Sequence, residues 1–129
     1  MPFKVTIPGA NLEKSVESVY FKVDTPNDSD ARSNYVGNAL EIVGKIGTDE
    51  PTVELYLWSL LPSDDGNAYR NVEVEVVGVD EKTIRKVTFP NAFVVDYSEN
   101  FSNDTGVGMF SILLKQKKDK NDAVNVSGQ

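Results

Sequence analysis

The chain has 129 residues, 40% of them hydrophobic and 26% charged, the size and balance of one folded domain around one core. It contains no Cys and no His, which excludes disulfides, thiol nucleophiles, Cys/His zinc sites and every catalytic arrangement built on imidazole. Lys and Arg number 13 against 20 Asp and Glu, and the net charge of −7 gives a surface that repels nucleic acid and anionic lipid.

The charge is uneven, because residues 105–129 carry 4 bases and 2 acids while everything before them is strongly acidic. No apolar run is long enough to span a bilayer. The opening Met1-Pro2-Phe3-Lys4 lacks the apolar stretch of a signal peptide, so the protein is expected to be made in the cytoplasm.

Phe3, Val5 and Ile7 alternate with Lys4 and Thr6, which predicts a half-buried strand closed by a turn at Pro8-Gly9. Val19, Phe21 and Val23 predict a second strand. The stretch Asp24 to Tyr35 has no apolar period and reads as a long loop, a class of segment that is often functional. Leu40, Ile42 and Ile46 share a face in the next strand, with Gly44 on that face marking a bulge or a close backbone approach. Asp49 to Leu61 fits both periods, and its early acids and Pro51 favour a short helix laid on the sheet, with Val53, Leu57, Leu60 and Leu61 on one side. Pro62 ends it, and Ser63 to Asn67 form a turn.

Val72, Val74 and Val76 alternate with Asn71, Glu73 and Glu75 in the clearest strand of the chain. After a hairpin turn at Gly78 to Thr83, Val87, Phe89, Phe93, Val95 and Tyr97 are placed on one side of the returning strand, with a bulge at Pro90-Asn91. Ser98 to Gly106 reads as a polar loop. The following strand puts Phe110, Ile112 and Leu114 on one face and Val107, Met109 and Leu113 on the other. Both faces must then be covered, by the helix at 50–61 or by a partner protein. Local hairpins and at most one helix predict a mainly β fold, an antiparallel barrel or sandwich of two packed sheets with one short helix, occupying residues 1–120. The remainder, 121–129, reads as a polar tail that is either partly disordered or adds an edge strand through Ala123 to Val126.

Candidate chemistry is thin. Asp24, Asn27, Asp28 and Asp30 offer oxygen ligands, but counting a calcium loop from Asp28 puts Ser33 where Gly is required and Ala39 where Glu is required. Asp64-Asp65 reads as turn chemistry, and Glu73 with Glu75 as a solvent-facing pair. Gly106-Val107-Gly108 precedes a strand and lacks the third Gly of a phosphate-binding fingerprint. Trp58, in an apolar run, reads as core, and Lys115, Lys117, Lys118 and Lys120 read as a solvated end. The sequence therefore predicts no catalytic residue, no cofactor, no metal site and no enzyme.

Five segments together resemble the tube-forming superfamily that includes phage tail tube proteins and the haemolysin-coregulated protein of type VI secretion. They are Leu40 to Ile46, Glu54 to Leu61, Tyr69 to Val77, Phe89 to Ser98 and Met109 to Lys118. The nearest likeness is to small tube-like proteins of Gram-positive bacteria that carry a phrase like Asp-Thr-Pro-Asn-Asp-Ser at 24–29. The resemblance implies a non-enzymatic subunit whose six copies make a ring, with rings stacking into a hollow tube. It implies that the 24–35 loop, with Asp24, Pro26, Asn27 and Asp28, is an arm reaching a neighbour, and that Val107, Met109 and Leu113 lie in an intersubunit sheet. The implied partners are the chain itself and a sheath, spike or cargo protein, with no direct binding of nucleic acid or membrane. The implied setting is a virion, a phage-tail-like particle or a secreted tube. The competing reading is a monomeric β-barrel binding module that uses the 24–35 and 98–106 loops for a peptide or carbohydrate. It would need the outer face of 107–114 to be covered by the helix.

Overall fold

The computed structural model describes residues 2–24, 37–116 and 124–129. Eight antiparallel strands and one α-helix form it: β1 Phe3–Ile7, β2 Ala10–Leu12, β3 Val16–Asp24, β4 Gly37–Ile46, α1 Val53–Ser59, β5 Arg70–Val77, β6 Thr83–Phe101, β7 Gly108–Gln116 and β8 Asn125–Gly128. Among the described residues the architecture is the mainly β one with a single α-helix that the alternation predicts. Its two layers are halves of one continuous sheet in the order β2-β1-β5-β6-β7-β4-β3, which folds over without closing, and β8 also pairs with β6.

The fold turns on β6, whose 19 residues serve both halves. Its first part pairs with β5 from Val77↔Thr83 to Arg70↔Ala92, and its second part pairs with β7 from Ala92↔Gln116 to Phe101↔Gly108. Between them, the register with β5 slips where Arg70/Val72 face Ala92/Phe89, the bulge that Pro90-Asn91 predicts. Asn91 takes φ 54°, a left-handed backbone that asparagine tolerates, and its N–H donates to Asn71 Oδ1 at 3.2 Å.

A second slip between Val94 and Asp96 was not legible in the alternation. Together the two bulges move the inward side of β6 from Val87 and Phe89, to Ala92 and Val94, and back to Tyr97. The expectation that Phe93 and Val95 share the side of Val87 therefore fails. Phe93 stacks edge-on against Tyr69 at 6.1 Å, and Val95 is exposed. The strand also runs through Ser98 to Phe101, because Glu99, Asn100 and Phe101 continue the ladder with Phe110, Met109 and Gly108. The expected polar loop at 98–106 shrinks accordingly.

Both halves supply one core. Val5, Ile7, Val72, Val74, Val87 and Phe89 from the first pack with Leu40, Ile42, Phe110, Ile112 and Leu114 from the second, and Phe21 stacks on Phe89 at 6.5 Å across the layers. Residues 3–7, 40–42, 72–74 and 110–114 contribute alternate positions, the strand period at work. Gly44 is on the inner face as expected. A Cβ there would meet the Phe110 ring at 2.6 Å and overlap the Ser15 carbonyl oxygen. Phe110 is its cross-strand partner on β7, so the ring occupies the space the glycine leaves.

Two competing apolar stripes run along α1. The stripe of Leu55 and Trp58 is buried and continues to half-buried Leu61, while Val53, Leu57 and Leu60 face solvent. The expected inner face was therefore the outer one, except at Leu61. Indole burial decides the phase, since Trp58 brings the largest apolar area and Ala68 O accepts its Nε1–H at 2.8 Å. Arg70 lies over the same ring at 5.2 Å.

The corner between β2 and β3 is held by a carboxylate. Glu50 accepts backbone N–H bonds from Glu13 (2.7 Å), Lys14 (2.9 Å) and Ser15 (2.7 Å), and a fourth from the Ser15 hydroxyl (2.6 Å), which also bonds Thr48. Burial pushes the Glu50 carboxyl up, but the four donors outweigh it and hold the group below its ordinary value of 4.5. Because the folded value is the lower one, this stabilisation is present above the unfolded value and is lost as pH falls through the folded one. Replacing Glu50 with Ala is expected to lower unfolding stability by about 2 kcal/mol near neutral pH. In urea unfolding, the gap between wild type and Glu50→Ala should narrow as pH falls below 4.5; a gap independent of pH would contradict the assignment.

Candidate assembly surface

The residues singled out from the sequence fall into two groups. Asp24 closes β3. Pro26, Asn27 and Asp28, like the rest of the segment 25–36 and the lysines at 117, 118 and 120, lie outside the described residues. Val107, Met109 and Leu113 are described: Met109 and Leu113 sit on the face of β7 opposite the core residues Phe110, Ile112 and Leu114, and Val107 lies just before the strand.

Register gives the composition of that outer face. Its rows across β3, β4, β7 and β6 are Tyr20, Glu41, Leu113 and Asp96, then Ser18, Val43, Ser111 and Ser98, then Lys45, Met109 and Asn100. Glu17 pairs with Lys45 at 3.1 Å, both ends well exposed. Met109 and Leu113 are half-buried, while Val107, in the turn leading into β7, is 39% exposed. The face is thus a mixed one, with apolar side chains set among paired charges and hydroxyls. The other half of the sheet turns a purely polar row outward: Thr6, Glu73, Thr88 and Asn125 lie side by side, and Glu73 pairs with Lys86 at 3.3 Å.

The helix does not cover this outer face. Tyr56 of α1 meets Tyr97 edge-on at 5.5 Å, and Tyr97 is the register partner of core residue Ile112, so α1 packs on the inner side of β6. Between α1 and the end of β6 runs a groove of about 400 Å³ lined by Tyr56, Ser59, Leu60, Tyr97, Ser98, Glu99 and Phe101. The Tyr97 hydroxyl donates to the Glu99 carboxylate, and burial followed by that bond pushes the phenol far above its ordinary value. Sequence reading missed this groove because it assigned residues 98–101 to a loop and turned Leu60 inward. Exposed aromatic and aliphatic residues shared by a helix and a strand end were the available signal.

Two features that reach for chemistry in the sequence serve structure here. Asp65 caps the turn at Gly66–Ala68, with its Oδ1 accepting from Asn67 N at 2.8 Å. Trp58 is core, at 1% exposure. Among the described residues no group of three or more acids converges as metal ligands, and no helix is long and apolar enough to cross a membrane.

No protein-family model matches the chain, and no curated protein sequence is similar to it. Solved structures are. Hcp1 from Flavobacterium johnsoniae is similar over 100% of this chain and 97% of its own, at 18% identity and a TM-score of 0.69. Hcp1 from Salmonella typhimurium is similar over 88% of this chain and 79% of its own, at 14% identity and a TM-score of 0.65. The tube-terminating cap of the anti-feeding prophage is similar over 98% of this chain and 88% of its own, at 10% identity and a TM-score of 0.58. The fold is therefore the one shared with Hcp1 and with the tube-terminating cap, as the resemblance in the sequence implies. None of these three structures bears on the nearer likeness to small Gram-positive proteins.

The two stripes of α1 make opposite predictions for substitution. Leu60→Asp should change stability by no more than about 0.5 kcal/mol, because the side chain faces solvent. Leu55→Ala should lower it by about 3 kcal/mol through loss of core packing. Urea unfolding of both variants checks the helix phase, and the reverse ranking would overturn it.

Proposed function

We propose that the chain is a non-enzymatic structural subunit of a phage-tail-like or secretion tube, assembling with itself into rings, six copies to each, that stack. The carrying observation is that the likeness to Hcp1 covers 100% of this chain and 97% of that one. The sheet geometry agrees with it. Within the described residues, the half made of β3, β4, β7 and the second part of β6 has β3 at one edge and β6 at the other. Two different edges suit a head-to-tail contact, which generates a ring where the rotation between copies closes and an open filament where it does not.

In this reading the mixed outer face carrying Val107, Met109 and Leu113 meets a neighbouring copy. The 24–35 segment, with Asp24, Pro26, Asn27 and Asp28, is the arm that reaches across. A cap, sheath, spike or cargo protein meets the assembled tube. The acidic balance keeps the lumen from adhering to nucleic acid. The setting is a virion, a phage-tail-like particle or a secreted tube. The monomeric binding module is disfavoured by two observations: α1 leaves the outer face of β7 uncovered, and much of the 98–106 loop is strand.

The double variant Val107→Glu/Met109→Glu tests the assignment. It is expected to keep the wild-type circular dichroism and unfolding midpoint while sedimenting as a monomer under conditions where wild type assembles. Loss of folding would show that this face is internal, and assembly at wild-type levels would remove it from the interface.

A further inference from the structure

The last strand, β8, is exposed along its length and is held by its ladder with β6, with Gln129 N donating to Ile84 O at 3.1 Å just beyond it. Four residues pair with Arg85 to Thr88 of β6, and all four are exposed. Val126 remains 55% exposed, Val124 is only partly buried, and a cleft of about 200 Å³ runs beneath the pair against Phe21, Val23, Val87 and Phe89.

Register shows what β8 does there. β7 ends opposite Ala92 and β8 starts opposite Thr88, on the same edge of β6 and in the same direction. The two strands are therefore collinear, separated by four residue steps along β6, a gap of about 13 Å. Residues 117–124 join them, and the steps from Gln116 to Asn125 reach about 30 Å when extended. The connection is more than twice as long as docking on the chain's own β6 requires. Without β8, residues 85–88 would present an open strand edge beside an apolar cleft, a surface that invites another strand.

We propose that β8 is exchanged between copies, the strand of one chain pairing with residues 85–88 of its neighbour and seating Val124 and Val126 in the neighbour's cleft. The occupant is a second copy of this chain, because the connection from Gln116 to Asn125 is more than twice the length its own seat requires and the neighbour's seat offers the same bonds. Exchange then depends on connection length and local concentration, since the contacts themselves balance. The inference rests on the tube-subunit reading for the nearness of neighbours, and it adds a strand-paired link between subunits that stacked surfaces alone lack.

The absence of cysteine makes the test clean. Thr88 and Asn125 are direct partners, at a separation an antiparallel pair shares with a disulfide. The variants Thr88→Cys and Asn125→Cys are co-expressed as separate chains, purified together, oxidised and run on a non-reducing gel, with light scattering on the same sample. Co-expressed Thr6→Cys and Asn125→Cys, on strands that are not neighbours, give the background, and one chain carrying Thr88→Cys/Asn125→Cys shows that the strand forms. The proposal predicts a shift of the mixed chains from one chain mass to two, above background. No such shift in samples that scatter as rings overturns exchange and leaves the tube reading standing. No shift in samples that stay monomeric overturns both.

Discussion

A single strand that must lie in two layers constrains everything else in this molecule. β6 pairs with β5 on one side of its bend and with β7 on the other, so the sheet can fold over its own core only if β6 turns without losing its ladder. Bulges are the device by which a strand does this, each adding one unpaired residue and increasing the local twist. The residue at the first bend is Asn91, which accepts a positive φ at modest strain, and Pro90 before it has no N–H to leave unpaired. The second slip restores the phase, so that Tyr97 again faces the side of Val87. With the bend in place, Phe21 reaches Phe89 across the layers and one core closes between the halves.

The corner at Ser15 is the second fixed point. The chain leaves β2 there for the opposite half, and the backbone donors of residues 13 to 15 have no strand to pair with. Glu50 answers all three with one carboxylate, and the Ser15 carbonyl accepts from Lys45 N at 2.7 Å. Charged acceptors make the stronger hydrogen bonds, so one side chain from the segment before α1 ties β2, β3 and β4 to the helix. Gly44 belongs to the same corner, since any side chain there would press on both the Ser15 backbone and Phe110.

What the sequence made legible follows from local pattern. Alternation at Val72, Val74 and Val76 and at Phe110, Ile112 and Leu114 gave strands with the observed inner faces, Pro90-Asn91 gave the bend, and Gly44 gave the close approach. Where two patterns overlapped, periodicity could not decide. In α1 the stripes of Leu55/Trp58 and Val53/Leu57/Leu60 are equally regular, and tertiary burial of the indole selects the first. Residues 98–101 read as loop because their polar side chains hid a backbone ladder set by β7, a non-local partner. The groove beside α1 was invisible for both reasons at once. Of the expected interface, Met109 and Leu113 are placed on the face opposite the core, but among charges and hydroxyls that the strand's own sequence does not reveal, and Val107 precedes the strand.

Among the described residues, β3 and the second part of β6 edge one half of an unclosed sheet with a mixed outer face and a helix tucked on the inner side, and in the proposed role those edges and that face meet copies of the chain. Its lack of imidazole and thiol chemistry takes nothing from such a role. The most direct measurement is the mass of the purified protein by light scattering across a wide concentration range, with negative-stain images of the same samples. The account predicts discrete rings, and stacks of rings as concentration rises. A strict monomer at every concentration would contradict it.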